Sequence, residues 1–294
     1  MRKLLFYLLL ASFSSRSFAQ EDLKWINQVR FDKKPEVKYI QSKDEFTNVA
    51  DELSSVIAKE SLYNLSAMKL EEVFGKTNEV LVKMSTKCYQ LKFEEALKIA
   101  DEIYWQYKNN PSYWNQMGTC FYLNSDYSKA ILYYNKARDL DGKFAPAVNN
   151  LGVVYTKQAK FQKALSAFKK ALDLNSFGIT PNYNMARLYL RFGVSSKALP
   201  ILQALQKRSP KDNDVNSALA SAYLIAGDAA SAVGIYSSMD KVLLQRPWNA
   251  LNYAVALKEL NKVSEAQSAL SNVSGVERAD LKTYLQKVEK FVRN

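Results

Sequence analysis

An all-α solenoid built of helix-turn-helix units is the fold this sequence predicts, and three observations predict it. Alanine recurs every 34 residues, at Ala96, Ala130, Ala164, Ala198, Ala232 and Ala266, the fixed period of a repeat architecture. Other columns of the same register alternate in size. Gly118, Gly152, Ala186, Ala220 and Ala254 are small, whereas Phe121, Tyr155, Tyr189, Tyr223 and Leu257 are large, as are Tyr134, Phe168, Leu202, Tyr236 and Leu270. Small residues let two helices of a unit approach closely, and the large ones fill the space between units. Finally, 48% hydrophobic and 12% aromatic residues in a chain of 294 supply a sizeable core and exclude a disordered or collagen-like chain.

Residues 1–19 have the three parts of a secretory signal: basic Arg2 and Lys3, an apolar run from Leu4 to Phe13, and small residues at Ser17-Phe18-Ala19. The run is too short for the roughly 20 residues of a spanning helix. No cysteine stands near the cleavage point to carry a lipid. Cleavage after Ala19 leaves 38 basic against 29 acidic residues, a net charge of +9 where the whole chain has +12. Export to the periplasm of a double-membrane (Gram-negative) cell, or otherwise secretion, is the expectation.

Residues 20–76 lie outside the repeat. Trp25 to Tyr39 mixes aromatics with Arg30, Lys33, Lys34 and Lys38, and Pro35 argues against a continuous helix, so a strap or an arm is expected over 20–42. Ser42 and Glu45 form a capping box for a helix that uses Phe46, Val49, Leu53, Val56 and Ile57. A second helix uses Leu62, Leu65 and Val73, and the pair is expected to cap the array.

The repeats fill residues 77–280 as six windows: 77–110, 111–144, 145–178, 179–212, 213–246 and 247–280. Window 111–144 carries Trp114, Met117-Gly118, Phe121, Ala130, Tyr134 and Ala137; window 145–178 carries Leu151-Gly152, Tyr155, Ala164, Phe168 and Ala171. In this order the residues resemble the tetratricopeptide repeat. The resemblance implies a right-handed superhelix of helical hairpins, whose first helices line a concave groove. Window 77–110 is degenerate, because Lys83 and Lys87 replace apolar residues. Pro210 and Pro247 mark repeat junctions, Pro200 falls early in a second helix, and the small residues of window 213–246 predict the least rigid joint. Residues 281–294 form a C-terminal capping helix on Leu281, Tyr284, Leu285, Val288 and Phe291, with Asp280 as its N-cap.

Stacking uses up the alanine and aromatic columns, which leaves a stripe on each first helix for a partner. That stripe includes Asn115, Gln116, Thr119, Asn149, Asn150, Tyr183, Asn184, Arg187, Arg191, Ser217, Ser221 and Asn252. A carboxamide both donates and accepts, so a row of them can hold an extended peptide backbone without reading its sequence. The resemblance implies that role for Asn150 and Asn184, and so a protein or peptide partner; a neutral to acidic segment fits best, since Arg187 can meet an acidic side chain. A two-lysine clamp for a C-terminal carboxylate, known in some members of the family, is incomplete: Asn115 and Thr119 stand where lysine and asparagine are required.

Two further features carry alternatives. Lys129, Lys136, Arg138, Lys163, Lys169 and Lys170 form a basic outer face. Such a run is ordinarily a solvated helix surface, but it also suits an anionic envelope polymer such as peptidoglycan or a polysaccharide, with at most peripheral contact to a membrane. Docking as a subunit of an envelope complex is a third reading. Cys88 and Cys120 are 32 residues apart, on equivalent helices of neighbouring repeats; they can pair as a disulfide or stay as core thiols. The apolar equivalents of Cys120 (Val154, Leu188, Ala222 and Ala256) favour the thiols.

Catalysis is not expected. The chain has no histidine, which removes Ser-His-Asp, Cys-His and imidazole-metal chemistry together. No glycine loop for phosphates appears, and neither cysteine has an evident activating neighbour. No cofactor or metal is implied, and export argues against nucleic acid. A non-catalytic scaffold or adaptor is the function the sequence predicts.

Overall fold

The computed structural model describes residues 80–271, 273, 276 and 279–293. The expected signal, strap and N-terminal helical pair lie outside these residues. The described chain is helical throughout, in fourteen helices and without a strand. They are α1 (Val80–Tyr89), α2 (Phe93–Tyr107), α3 (Pro111–Leu123), α4 (Tyr127–Leu140), α5 (Ala145–Lys157), α6 (Phe161–Leu174), α7 (Ile179–Arg191), α8 (Ser195–Arg208), α9 (Asn213–Ile225), α10 (Ala229–Ser237), α11 (Lys241–Leu244), α12 (Pro247–Glu259), α13 (Val263–Ser271) and α14 (Ala279–Arg293). Two compact units share them. One holds residues 80–188 and 197–218 of the described chain, the other 189–196 and 219–293.

In the first unit α1 packs on α2, α3 on α4 and α5 on α6; in the second, α12 packs on α13, and α14 lies against both. The alanine register sits where helices touch, with Ala130, Ala164, Ala198, Ala232 and Ala266 all at 0% exposure. The small column is a matter of clearance. A Cβ on Gly118 would lie 2.6 Å from the ring of Tyr134, and one on Gly152 would lie 2.5 Å from that of Phe168.

Six turns between paired helices obey one geometry, and they too recur every 34 residues. Leu91, Ser125, Ala159, Gly193, Gly227 and Asn261 are left-handed, with φ of 62°, 63°, 57°, 69°, 86° and 61°. In each turn the next residue's N–H reaches back five residues to a carbonyl: Lys92 to Lys87 at 2.9 Å, Asp126 to Phe121 at 2.8 Å, Lys160 to Tyr155 at 2.8 Å, Val194 to Tyr189, Asp228 to Tyr223 and Lys262 to Leu257 at 2.9 Å. This is the Schellman arrangement, which satisfies helix-end carbonyls. Only two of the six residues are glycine, so glycine punctuation does not reveal the turns.

Window 77–110 forms a helical pair despite its degenerate sequence. Lys83 is exposed, and Lys87 is paired with Glu95 at 2.7 Å. Cys88 and Cys120 are joined as a disulfide between α1 and α3, with Cα atoms 5.0 Å apart. Both sit in the core formed by Met84, Ala96, Ala100, Tyr113 and Met117. The apolar character of the position and the bond are compatible, because a disulfide is itself buried and apolar.

Prolines fall where their missing N–H costs little. Pro111 and Pro247 are the first residues of α3 and α12, and Pro146 is in the first turn of α5, whereas Pro200 lies inside α8. Window 213–246 departs from the simple pair: α10 has 9 residues and the four-residue α11 follows it. At the C-terminus, Asp280 lies in the first turn of α14 rather than preceding it. The buried stripe of that helix is Leu281, Tyr284, Val288 and Val292. Phe291 is half-buried, because the 3-4-4 spacing passes through Val292.

Candidate peptide-binding face

The predicted stripe begins on α3, α5 and α7, and the structure gathers its amides into a hydrogen-bonded chain. The Arg187 guanidinium donates through Nη1 to Asn184 Oδ1 at 3.4 Å. Asn184 Nδ2 donates to Asn149 Oδ1 at 3.0 Å, Asn149 Nδ2 to Asn150 Oδ1 at 3.0 Å, and Asn150 Nδ2 to Asn115 Oδ1 at 2.9 Å. Every bond runs the same way, and the reason is chemical. A guanidinium has no acceptor, so it fixes the Asn184 oxygen toward itself and the Asn184 nitrogen toward Asn149; each later amide inherits that sense. Bonds aligned head to tail polarise one another. The two links between helices span 35 residues, one repeat plus one, so each step joins neighbouring repeats.

These amides are not open to water. Asn115, Gln116, Asn149 and Asn150 have 0% exposure and Asn184 has 4%, where an exposed groove lining was expected. Eight consecutive residues of α5, Ala147 to Val154, are buried, which encloses that helix on every side. Polar groups at such depth must be hydrogen-bonded, and the amide chain supplies part of that bonding. Gln116, on α3, accepts from Ser85 Oγ of α1 at 2.8 Å, while its Nε2 has no hydrogen-bond acceptor among the described residues. Tyr183 is buried, donates to the Asp214 carbonyl at 3.2 Å, and has the Arg187 guanidinium 5.7 Å from its ring centre. Arg191 is exposed at the end of α7.

Thr119 and Ser221 have another role than the expected one. Thr119 Oγ1 lies 3.1 Å from Tyr134 Oη, and Ser221 Oγ 3.1 Å from Tyr236 Oη. Both hydroxyls therefore face their own second helix. Burial pushes the Tyr236 hydroxyl up to about 12, against the hydrogen bonds to Ser221 and Asn252. It raises Tyr134 well above its ordinary value too. Asn252, in the second unit, donates to Ser221 Oγ at 3.2 Å and accepts from Tyr284 Oη at 2.8 Å, so it ties α12 to the capping helix α14.

The outer lysines stand apart from this face. Lys129, Lys136, Lys163, Lys169 and Lys170 are all exposed. Lys129 reaches Asp126 at 3.3 Å and lies 5.1 Å from the ring centre of Phe121. The Lys129 backbone N–H, hydrogen-bonded to Asp126, holds that carboxyl below its usual range. Among the described residues no group of three or more His, Cys, Asp or Glu side chains is placed to hold a metal, and no helix is long and apolar enough to cross a membrane.

Comparison with known proteins bears on the fold. Residues 145–177 and 183–241 match models of the tetratricopeptide repeat. No curated protein matches the sequence. Among solved structures, the chain is similar to the APC/C hetero-tetramer Cut9–Hcn1 with a TM-score of 0.60 at 16% identity, over 76% of this chain and 45% of that one. It thus spans less than half the length of that relative. A tetratricopeptide repeat protein from Parabacteroides merdae ATCC 43184 aligns with a TM-score of 0.51 at 15% identity, over 82% of this chain and 97% of that one. YrrB, described as a repeat protein with an unusual peptide-binding site, aligns at 0.50 and 16% identity, over 65% and 97%. Register, helical pairs and these matches agree: residues 145–177 and 183–241 carry tetratricopeptide repeats, a repeat that implies a scaffold for protein–protein interaction.

Proposed function

We propose that the chain is an exported, periplasmic, non-catalytic adaptor that holds an extended segment of a partner protein along the amide face of α3, α5 and α7. The observation that carries this reading is the directed amide chain anchored at Arg187. A partner strand that takes over these mutual bonds meets donors and acceptors one repeat apart, and the guanidinium gives one end a preference for an acidic side chain. The unaccepted Nε2 of Gln116 suits a backbone carbonyl of that strand. Because these side chains are shielded from water, binding is coupled to opening of the face. YrrB, similar in fold, is described as having a peptide-binding site. The signal-like start of the chain and the Cys88–Cys120 disulfide fit an oxidising compartment.

Capture of partners from an envelope extract by the chain from Gln20, at low and moderate salt, tests the reading. Asn150→Ala with Asn184→Ala is expected to abolish capture at both salts, provided circular dichroism shows the helices intact. A partner lost only in moderate salt, and lost on charge reversal of Lys163, Lys169 and Lys170, would move the function to the outer lysines and an anionic envelope polymer. Their shared exposure is what favours that second reading, and screening within ~8–10 Å is what would make it salt-labile.

A further inference from the structure

One surface of the first unit is built unlike the rest of the array. On α2, Trp105 is 76% exposed, and on α4, Leu132 is 62% exposed. The repeat register shows how unusual this is. Positions equivalent to Trp105 hold Asp139, Asp173, Lys207 and Lys241; those equivalent to Leu132 hold Lys98, Ser166, Pro200, Gly234 and Ser268. The other copies give these positions to water, so neither large side chain serves the stacking of repeats. Solvent-exposed apolar groups in one patch mark an interaction surface.

A run of ring contacts links the two helices that carry these residues. Trp105 contacts Tyr104 with ring centres 5.2 Å apart, Tyr104 contacts Trp114 at 6.3 Å, and Trp114 stacks on Tyr133 at 5.7 Å, the neighbour of Leu132. The charges nearest the two apolar residues differ by helix, with Asp139 of α4 an exposed exception. One turn before Trp105, α2 exposes Asp101 and Glu102; on either side of Leu132, α4 exposes Lys129 and Lys136. Lys108, the half-buried residue that follows α2, lies over the Trp105 ring at 4.3 Å, and Lys98 is the exposed cation of α2.

We propose that this patch is a self-complementary docking surface for a second copy of the chain. A two-fold interface brings each patch onto itself, so α2 of one protomer meets α4 of its partner twice. Trp105 then packs on Leu132 across the axis, and Asp101 and Glu102 face Lys129 and Lys136. Tryptophan at the centre supplies the affinity. The exposed charges set the register and the choice of partner rather than the strength. An anionic ligand is disfavoured, because it would meet Asp101 and Glu102 beside Trp105.

Light scattering of the chain from Gln20 tests this. At ~100 µM, a concentration that populates even weak pairs, twice the chain mass is expected. Trp105→Asp and Leu132→Glu are each expected to weaken the dimer at least about tenfold with an unchanged helical spectrum, since neither residue is in the core. Asp101→Lys with Glu102→Lys makes both faces basic, and Lys129→Glu with Lys136→Glu makes both acidic. Each doubly substituted chain is expected to be monomeric alone, and their mixture to form a heterodimer. A single-chain mass for the unsubstituted protein, a dimer indifferent to Trp105→Asp and Leu132→Glu, or a mixture that stays monomeric would overturn the proposal. None of these outcomes depends on the amide face, so the test is separate from that of the adaptor reading.

Discussion

A hydroxyl at Thr119 and a phenol at Tyr134 are useful to each other and costly apart. The pair meets at 3.1 Å in the core, and Ser221 and Tyr236 repeat it three units on. Two other repeats hold Val153 with Phe168 and Val255 with Leu270 at the same positions, although Arg187 stands with Leu202 and Ser85 with Ala100. Where the second residue is tyrosine the first is a hydroxyl, as a buried phenol requires. The comparison yields a prediction. Tyr134→Phe leaves the Thr119 hydroxyl its bond to the Asn115 carbonyl at 3.3 Å and is expected to cost about 0.5–1.5 kcal/mol, whereas Thr119→Val strands the buried Tyr134 hydroxyl and is expected to cost about 1–3 kcal/mol. The double substitution recreates the Val153–Phe168 solution and is expected to cost less than either alone; a urea-denaturation cycle checks it, and additive losses would contradict the pairing. The amide chain allows a second test at this scale. Asn150→Ala removes its bonds to Asn115 Oδ1 and Asn149 Nδ2 in the interior, with an expected loss of about 2 kcal/mol, measurable by thermal unfolding. Any binding study of that variant needs this control.

At the scale of the element, the turns are where stability was left ungained. A left-handed conformation costs an ordinary residue roughly 1 kcal/mol that glycine does not pay. Ala159, exposed and at φ 57°, loses no packing on substitution, so Ala159→Gly is expected to stabilise the chain by about 0.5–1 kcal/mol in a melting experiment. An unchanged or lower melting temperature would count against the assigned turn geometry. The helices themselves were legible in the sequence because stacking imposes size at fixed intervals: the alanine column, the glycines under Tyr134 and Phe168, and the apolar face of α14 follow from it. The turns were not, since Leu91, Ser125, Ala159 and Asn261 give no local sign of a left-handed residue, and only their 34-residue spacing exposes them. The burial of the asparagines escaped notice for a different reason. Polar residues on a first helix were assigned to a solvated groove, and nothing local distinguishes an amide facing water from one facing another amide. The link of 35 residues between partners is visible once sought. Thr119 and Ser221 were misassigned although their tyrosine partners, fifteen residues on, carried the signal.

For the whole molecule, buried phenols spread through the array make alkali the informative stress. Tyr236 is pushed up to about 12 and Tyr134 well above its ordinary 10. A group whose proton is held more tightly in the folded state contributes fully below its unfolded value and loses that contribution as the pH rises through the folded one. Stability is therefore expected to be level up to about pH 10 as far as these groups are concerned, and to fall between about 10 and 12. Tyr236 alone accounts for roughly 3 kcal/mol at the upper end. The last part of the tyrosinate absorbance to appear should rise together with the loss of helical circular dichroism; full tyrosine ionisation with the helices intact would contradict the burial.

The central claim for the molecule is that a partner lies along the first helices and not on the outer lysines. Lys157 is exposed and stands seven residues after Asn150 on α5, two turns along the same face, whereas Lys170 is exposed on α6. A photo-reactive residue placed at each position in turn, in the otherwise unaltered chain in its own cells, reports which side is occupied. The account predicts a discrete protein crosslinked from position 157 and none from position 170. Crosslinking from 170 alone, or from neither, would contradict it.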